Sequence, residues 1–233
     1  MTPISTRRNL HELLIELFKF GKEPIKLVHS ELFRVQPTND EQGTPYQEGF
    51  HFSAPNSELG RYNDPAGSLP VCYVADLATT ALAEVYGRRD AGNGERLVQI
   101  DRKDFISLSV SVVEPIRPLR LFDLSKALIP LGLTLSDITS KDYSVTQSLV
   151  AFFAAHPEWG VDGIAYISTH YASECCYALW LNKRDEVLLK TCSITSLQDF
   201  ESSEVPDGWD ESAIDAEEIL TQVLHFSIPG DMD

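Results

Sequence analysis

Gly60-Arg61-Tyr62-Asn63-Asp64-Pro65-Ala66-Gly67 is followed by Val71-Cys72-Tyr73-Val74-Ala75-Asp76 and then by Ala81-Leu82-Ala83-Glu84-Val85-Tyr86. The first stretch is rich in turn formers, with Asn63 and Gly67 favouring unusual backbone angles. The second reads as a strand on which Val71, Tyr73 and Ala75 share a face. The third reads as a helix over 78–86, with Asp76 placed to cap it. Loop, strand and helix in immediate succession can aim a cation (Arg61), an aromatic (Tyr73) and a carboxylate (Glu84) at one point. A guanidinium grips phosphate, an aromatic stacks on a flat base, and a carboxylate stabilises a sugar cation as a glycosidic bond breaks. The combination suits a nucleotide whose leaving group is a base, and NAD is the obvious candidate.

Outward from this core, short β-rich stretches at 31–36, 97–100, 106–113, 119–124, 163–167, 176–181 and 185–192 alternate with helical patterns at 8–20, 125–133 and 143–155. Many short strands among few helices predict an α+β fold. The helix at 8–20, with Leu10, Leu13, Leu14, Leu17 and Phe18 on one face, is expected to pack on the domain. Residues 37–60 read as a polar loop or lid, and Gly92-Asn93-Gly94 as a turn. Residues 198–218 are strongly acidic and read as a solvated extension, with 219–226 packing back. The expected division is a helical extension over 1–27, one domain over 28–195 and an acidic extension over 196–233.

The chain has 233 residues, a hydrophobic fraction of 43% and a net charge of −16, which together predict an ordered, water-soluble domain. No apolar run approaches bilayer length, and no signal peptide is read, so a cytoplasmic location is expected. Such acidity disfavours general nucleic-acid binding. It also means that an anionic substrate must be drawn in by a local basic patch. The four cysteines (Cys72, Cys175, Cys176, Cys192) form no CxxC pair, and no histidine stands at metal-ligand spacing. Reduced thiols and no metal are expected. The chain lacks GxGxxG, a P-loop and a GxSxG elbow, which argues against dehydrogenase, kinase-like and serine-hydrolase chemistry.

The Gly-Arg-aromatic-Asn loop, the Tyr before Val-Ala-Asp and the Glu of Ala-Leu-Ala-Glu-Val resemble the RES domain, named for an Arg, a Glu and a Ser. Phe33-Arg34 resembles the aromatic-Arg pair on the family's first strand, and Ser168, after the strand at 163–167, resembles its later serine. The resemblance covers roughly residues 28–195. It implies an ADP-ribosyltransferase-like fold with a bent, split sheet, and NAD breakdown by the toxin of a toxin–antitoxin pair. NAD is then the substrate, with no separate cofactor, and the partner is a neutralising antitoxin. Self-association is left open.

Under this resemblance Arg61 and Arg34 hold the pyrophosphate, Tyr73 stacks on the substrate, Glu84 stabilises the ribosyl cation and Ser168 positions the leaving group. Alternatives stay open at each place. Arg34 could be a strand-edge arginine facing water or an orienting partner of Glu84, and Tyr62 is a second aromatic candidate. Ser144, at the start of the helix over 143–155, competes with Ser168, and Gln147 is a weaker candidate. Val35 stands where some relatives carry a second aromatic. Two other functions compete with NAD cleavage to water or phosphate. One is transfer of ADP-ribose to a macromolecule bound by the 37–60 loop, and the other is a binding module without turnover.

Overall fold

The computed structural model describes residues 9–40, 42–52, 60–87, 99–171, 174–181 and 187–229. Its elements run α1 (Leu10–Lys19), β1 (Ile25–Val28), β2 (Leu32–Pro37), β3 (Val71–Ala75), α2 (Ala78–Tyr86), α3 (Arg102–Ile106), β4 (Leu108–Pro115) and β5 (Leu119–Asp123). They continue with α4 (Leu124–Ala127), α5 (Leu135–Thr139), α6 (Ser144–Ala155), β6 (Gly163–Ile167), β7 (Cys175–Trp180) and β8 (Leu189–Ser196). A small hairpin, β9 (Glu201–Ser202) with β10 (Ile214–Asp215), leads into α7 (Ala216–Glu218) and a π-helical turn over Ile219–Val223. This is the α+β fold that the alternation of elements predicts.

Among the described residues one sheet has eight strands in the order β1-β5-β6-β7-β3-β2-β4-β8, antiparallel except for β5 with β6. Its middle is split. β2 pairs with β4 over six residues, from Leu32↔Val113 to Pro37↔Leu108, but with β3 only at Phe33↔Ala75. Beyond that pair the two strands diverge, and the guanidinium of Arg34 reaches across the gap. Its Nη1 donates to the Tyr73 carbonyl oxygen at 3.2 Å and to Cys72 Sγ at 3.1 Å. Arg34 therefore sits on an interior strand, not at an edge facing water.

Alternation along β3 sorts its side chains as expected. Val71, Tyr73 and Ala75 join a core with α1 and α6, while Cys72 and Val74 join the core on the other face of the sheet. The helix foreseen at 8–20 is α1. Leu14 is buried in it, and Phe18 stacks on Trp159 with ring centroids 4.4 Å apart, so the helix packs on the domain.

Several local expectations are corrected. The stretch at 106–113 starts later as a strand, because Arg102–Ile106 is helical with Asp101 capping through Lys103 N–H. The helix expected over 125–133 stops at Ala127 and continues as turns to Gly132 (φ 65°), where a left-handed backbone ends it. β1 and α5 were not anticipated, their apolar content being too short to show a period. Asp76 does not cap α2, whose N-cap is Leu77 without a side-chain bond. Its carboxylate instead accepts from the Tyr177 hydroxyl and from Lys26 Nζ at 3.4 Å.

The acidic stretch is not simply solvated. Phe200, Ile214 and Ala216 are buried with Leu82 and Tyr86 of α2, and Ile219 and Leu220 join them, as expected for the 219–226 segment. Burial raises the Glu204 carboxyl above the usual range, against the hydrogen bond that it accepts from Ala78 N–H at the start of α2. Charge dominates the composition there, but a few scattered apolar residues decide the packing. The readings at 88–98 and 182–186, including the Gly92-Asn93-Gly94 turn, lie outside the described residues, as do parts of the 37–60 loop.

Candidate active site

The divergence of β2 from β3 opens a cleft with two lobes that share Tyr73, Glu84 and Tyr166. One lobe, about 330 Å³, lies in the split and is lined by Phe33, Arg34, Val35, Ala81 and Cys176 among others. The other, about 460 Å³, lies between the Gly60–Tyr62 loop, the α5–α6 connection and the segment after β6, and includes Lys141, Tyr143 and His170. Glu84, on α2, stands at the junction.

Glu84 is held by the serine that the sequence ranked first. Ser168 Oγ donates to Glu84 Oε1 at 2.7 Å and accepts the N–H groups of His170 (3.1 Å) and Tyr171 (3.0 Å). Ser168 is thus both a backbone cap and the partner of Glu84. Its residue is 1% exposed, so it reaches a ligand through Glu84 and not by open contact. Ser144 does not join the cleft. It is exposed at the start of α6, with its N–H on the Asp142 carboxylate at 2.9 Å.

Tyr73 orders the loop beside it. Its hydroxyl donates to Asn63 Oδ1 at 2.7 Å and accepts Tyr62 N–H at 3.1 Å. Gly60 permits this approach, since a Cβ there would lie 2.9 Å from the Tyr73 hydroxyl and 2.8 Å from Asn63 Oδ1. Asp64 closes the same loop by accepting from the N–H groups of Ala66, Ser68 and Leu69 and from the Ser68 hydroxyl. Burial opposes ionisation of Asp64, yet these bonds hold its carboxyl below the ordinary range. Gln147 adds a bond from Nε2 to the Gly60 carbonyl at 3.3 Å. Tyr62 packs under the loop, its ring centroid 4.4 Å from that of Tyr166. Burial pushes both phenols up, so they remain neutral donors.

The two arginines occupy different situations. Arg61 spends its guanidinium on the C-terminal end of α5: Nη1 donates to the carbonyls of Ile138 and Ser140, and Nη2 to that of Thr139. A cation there satisfies carbonyls the helix leaves open. The Tyr143 ring covers its face, 4.9 Å from Cζ. Arg34, by contrast, keeps a buried Nε–H with no partner among the described residues, at the wall of the lobe in the split. An unsatisfied buried donor costs about 1–3 kcal/mol, which a ligand acceptor can recover.

Lys141 and His170 were not singled out from the sequence. Neither belongs to a periodic pattern, and only the turns after α5 and β6 bring them to the cleft. His170 lies so close to α2 that a Cβ on Gly87 would fall 2.6 Å from its ring. Among the described residues Glu31, Glu114 and Cys192 alone group closely enough to hold a metal ion, and none of them lines either lobe.

The RES domain model matches residues 31–222. The chain belongs to the RES domain family. The match runs past residue 195, where the sequence reading placed the domain's end, and takes in the hairpin and α7 that pack against α2. A search of curated proteins by sequence finds no match. Among solved structures, this RES domain protein resembles a chain of the MbcT–MbcA toxin–antitoxin complex from M. tuberculosis, with a TM-score of 0.60 and 16% identity. The alignment covers 93% of this chain and 99% of that one. Two chains so far apart in sequence share the fold because it rests on burial pattern and strand pairing, which many sequences satisfy. No helix among the described residues is long and apolar enough to cross a membrane.

Proposed function

We propose that this RES domain protein cleaves the nicotinamide–ribose bond of NAD, passing the ADP-ribosyl group to water or inorganic phosphate. The observation that carries the reading is Glu84, fixed by Ser168 at the junction of two lobes, each sized for part of a dinucleotide. With nicotinamide riboside in the split and the ADP half in the second lobe, the scissile bond lies beside the carboxylate. The C–N bond breaks with its electron pair going to the pyridinium nitrogen, so nicotinamide leaves neutral and the ribose becomes an oxocarbenium-like cation. Glu84 stabilises that cation. The acceptor oxygen then bonds to the anomeric carbon and loses its proton to solvent. The chemistry asks for no metal, since the leaving group carries its own positive charge beforehand.

Arg34, with its unpartnered Nε–H, takes an acceptor on the substrate. Tyr73 and Tyr166 line both lobes and flank the ring system. Family membership supports NAD as the substrate, and the toxin–antitoxin setting of the MbcT–MbcA complex supports a growth-arresting role under a neutralising partner. Both are analogies of fold. The test is incubation of purified protein with NAD, with and without phosphate, beside a Glu84→Ala variant, with products read by mass spectrometry. Free nicotinamide from the wild type, reduced at least 100-fold in the variant, is expected, and the mass of the ribosyl product names the acceptor. Intact NAD in every tube, with folded protein, overturns small-molecule cleavage.

A further inference from the structure

The second lobe needs a cation to receive a diphosphate in a chain of net charge −16. Arg61, the residue the sequence pointed to, is not placed to serve directly. Three of its five N–H groups donate to the carbonyls of Ile138, Thr139 and Ser140, and Tyr143 covers its face. What Arg61 does hold in place is the backbone immediately before Lys141. Lys141 lines the same lobe, is exposed, and makes no ion pair with any described residue. The neighbouring Asp142 makes no ion pair with it; its carboxylate accepts from Ser144 N–H at 2.9 Å, which holds it below the usual range.

We infer that Lys141 is the cation that meets the phosphates of a bound nucleotide in the second lobe, and that Arg61 is a positioning residue acting through it. The inference rests on the proposed NAD reading for the identity of the nucleotide, but not for the presence of an anion site. An ammonium on a flexible stem can follow phosphate oxygens as the substrate settles. A guanidinium bonded in its plane to several carbonyls and covered on its face cannot do so without releasing the α5 terminus.

The experiment titrates the full chain with ADP-ribose and, separately, with inorganic pyrophosphate in metal-free buffer, at low and high salt, using calorimetry or NMR shifts. The set is wild type, Lys141→Gln, Arg61→Lys and the double variant, with folding of each checked by circular dichroism. Lys141→Gln is expected to weaken both ligands about fivefold at low salt, as for an exposed ion pair, and to flatten the salt dependence. Arg61→Lys is expected to weaken binding in the wild-type background and far less when Lys141 is already Gln. Equal affinities for wild type and Lys141→Gln, or no pyrophosphate binding by the wild type, overturn the site. Losses that simply add show Arg61 contacting phosphate itself and overturn its positioning role. Lys141-dependent pyrophosphate binding with no ADP-ribose binding supports the anion site and overturns the NAD reading alone.

Discussion

Removal of one hydroxyl, in Ser168→Ala, tests how Glu84 is held. Ser168 Oγ makes three hydrogen bonds: one to Glu84 Oε1 at 2.7 Å and two from the N–H groups of His170 and Tyr171. The bond to a carboxylate is worth about 1.5–3 kcal/mol, and each neutral bond about 0.5–1.5 kcal/mol. The turn carrying His170 and Tyr171 lies close to solvent, so water replaces part of what those two N–H groups lose. The net cost is then about 2–3 kcal/mol, or a fall in melting temperature of about 4–12 °C for a chain of this size. The assay is denaturant unfolding of wild type, Ser168→Ala, Glu84→Ala and the double variant, with NAD turnover measured in parallel. The double variant should be less destabilised than the sum of the singles by about 1–2 kcal/mol, the signature of a shared bond. Turnover in Ser168→Ala should fall about 10- to 100-fold, less than in Glu84→Ala, because the carboxylate is present but unoriented. Ser168→Thr, which keeps the hydroxyl, should recover part of the activity. Additive stabilities together with unchanged turnover would show that Ser168 does not hold Glu84.

Tyr73→Phe strands the Tyr62 N–H and Asn63 Oδ1, so it should cost about 1–3 kcal/mol in chemical denaturation and raise KM more than it lowers kcat. Gly87→Ala should displace both the His170 ring and the end of α2, since the ring and the Ala83 carbonyl oxygen each lie 2.6 Å from the new methyl position. A change in the His170 ring shifts by NMR would register it, and unchanged shifts in the folded variant would refute it. Asp64, whose folded-state carboxyl is depressed, contributes stability that is present above the ordinary carboxylate range and lost as pH falls through its folded value. The stability gap between wild type and Asp64→Asn should therefore narrow from neutral pH toward pH ~3, and a gap independent of pH would sink this account. Truncation of α1 removes Leu14 and the Phe18–Trp159 stack. It should lower the melting temperature by about 5 °C or more without changing KM, since α1 lines neither lobe.

Short-range sequence signals suffice for the local pieces. The alternation of Val71, Tyr73 and Ala75, the apolar run around Glu84 and the turn formers from Gly60 to Gly67 set the strand, helix and loop that carry the site, because those signals have short range. The same locality explains the failures. Asp76 stands where a cap belongs and bonds Tyr177 instead. The acidic tail hides the few apolar residues that bury against α2. It is the folded chain, by contrast, that parts β2 from β3 after one residue pair, opening the cleft between Arg34 and Tyr73. It also turned Ser168, far along the chain, onto Glu84, left Ser144 outside, and spent Arg61 on the end of α5 while leaving Lys141 exposed in the lobe. Those outcomes depend on which strand pairs with which and on competition among distant hydrogen-bond partners, quantities that no window of neighbouring residues contains.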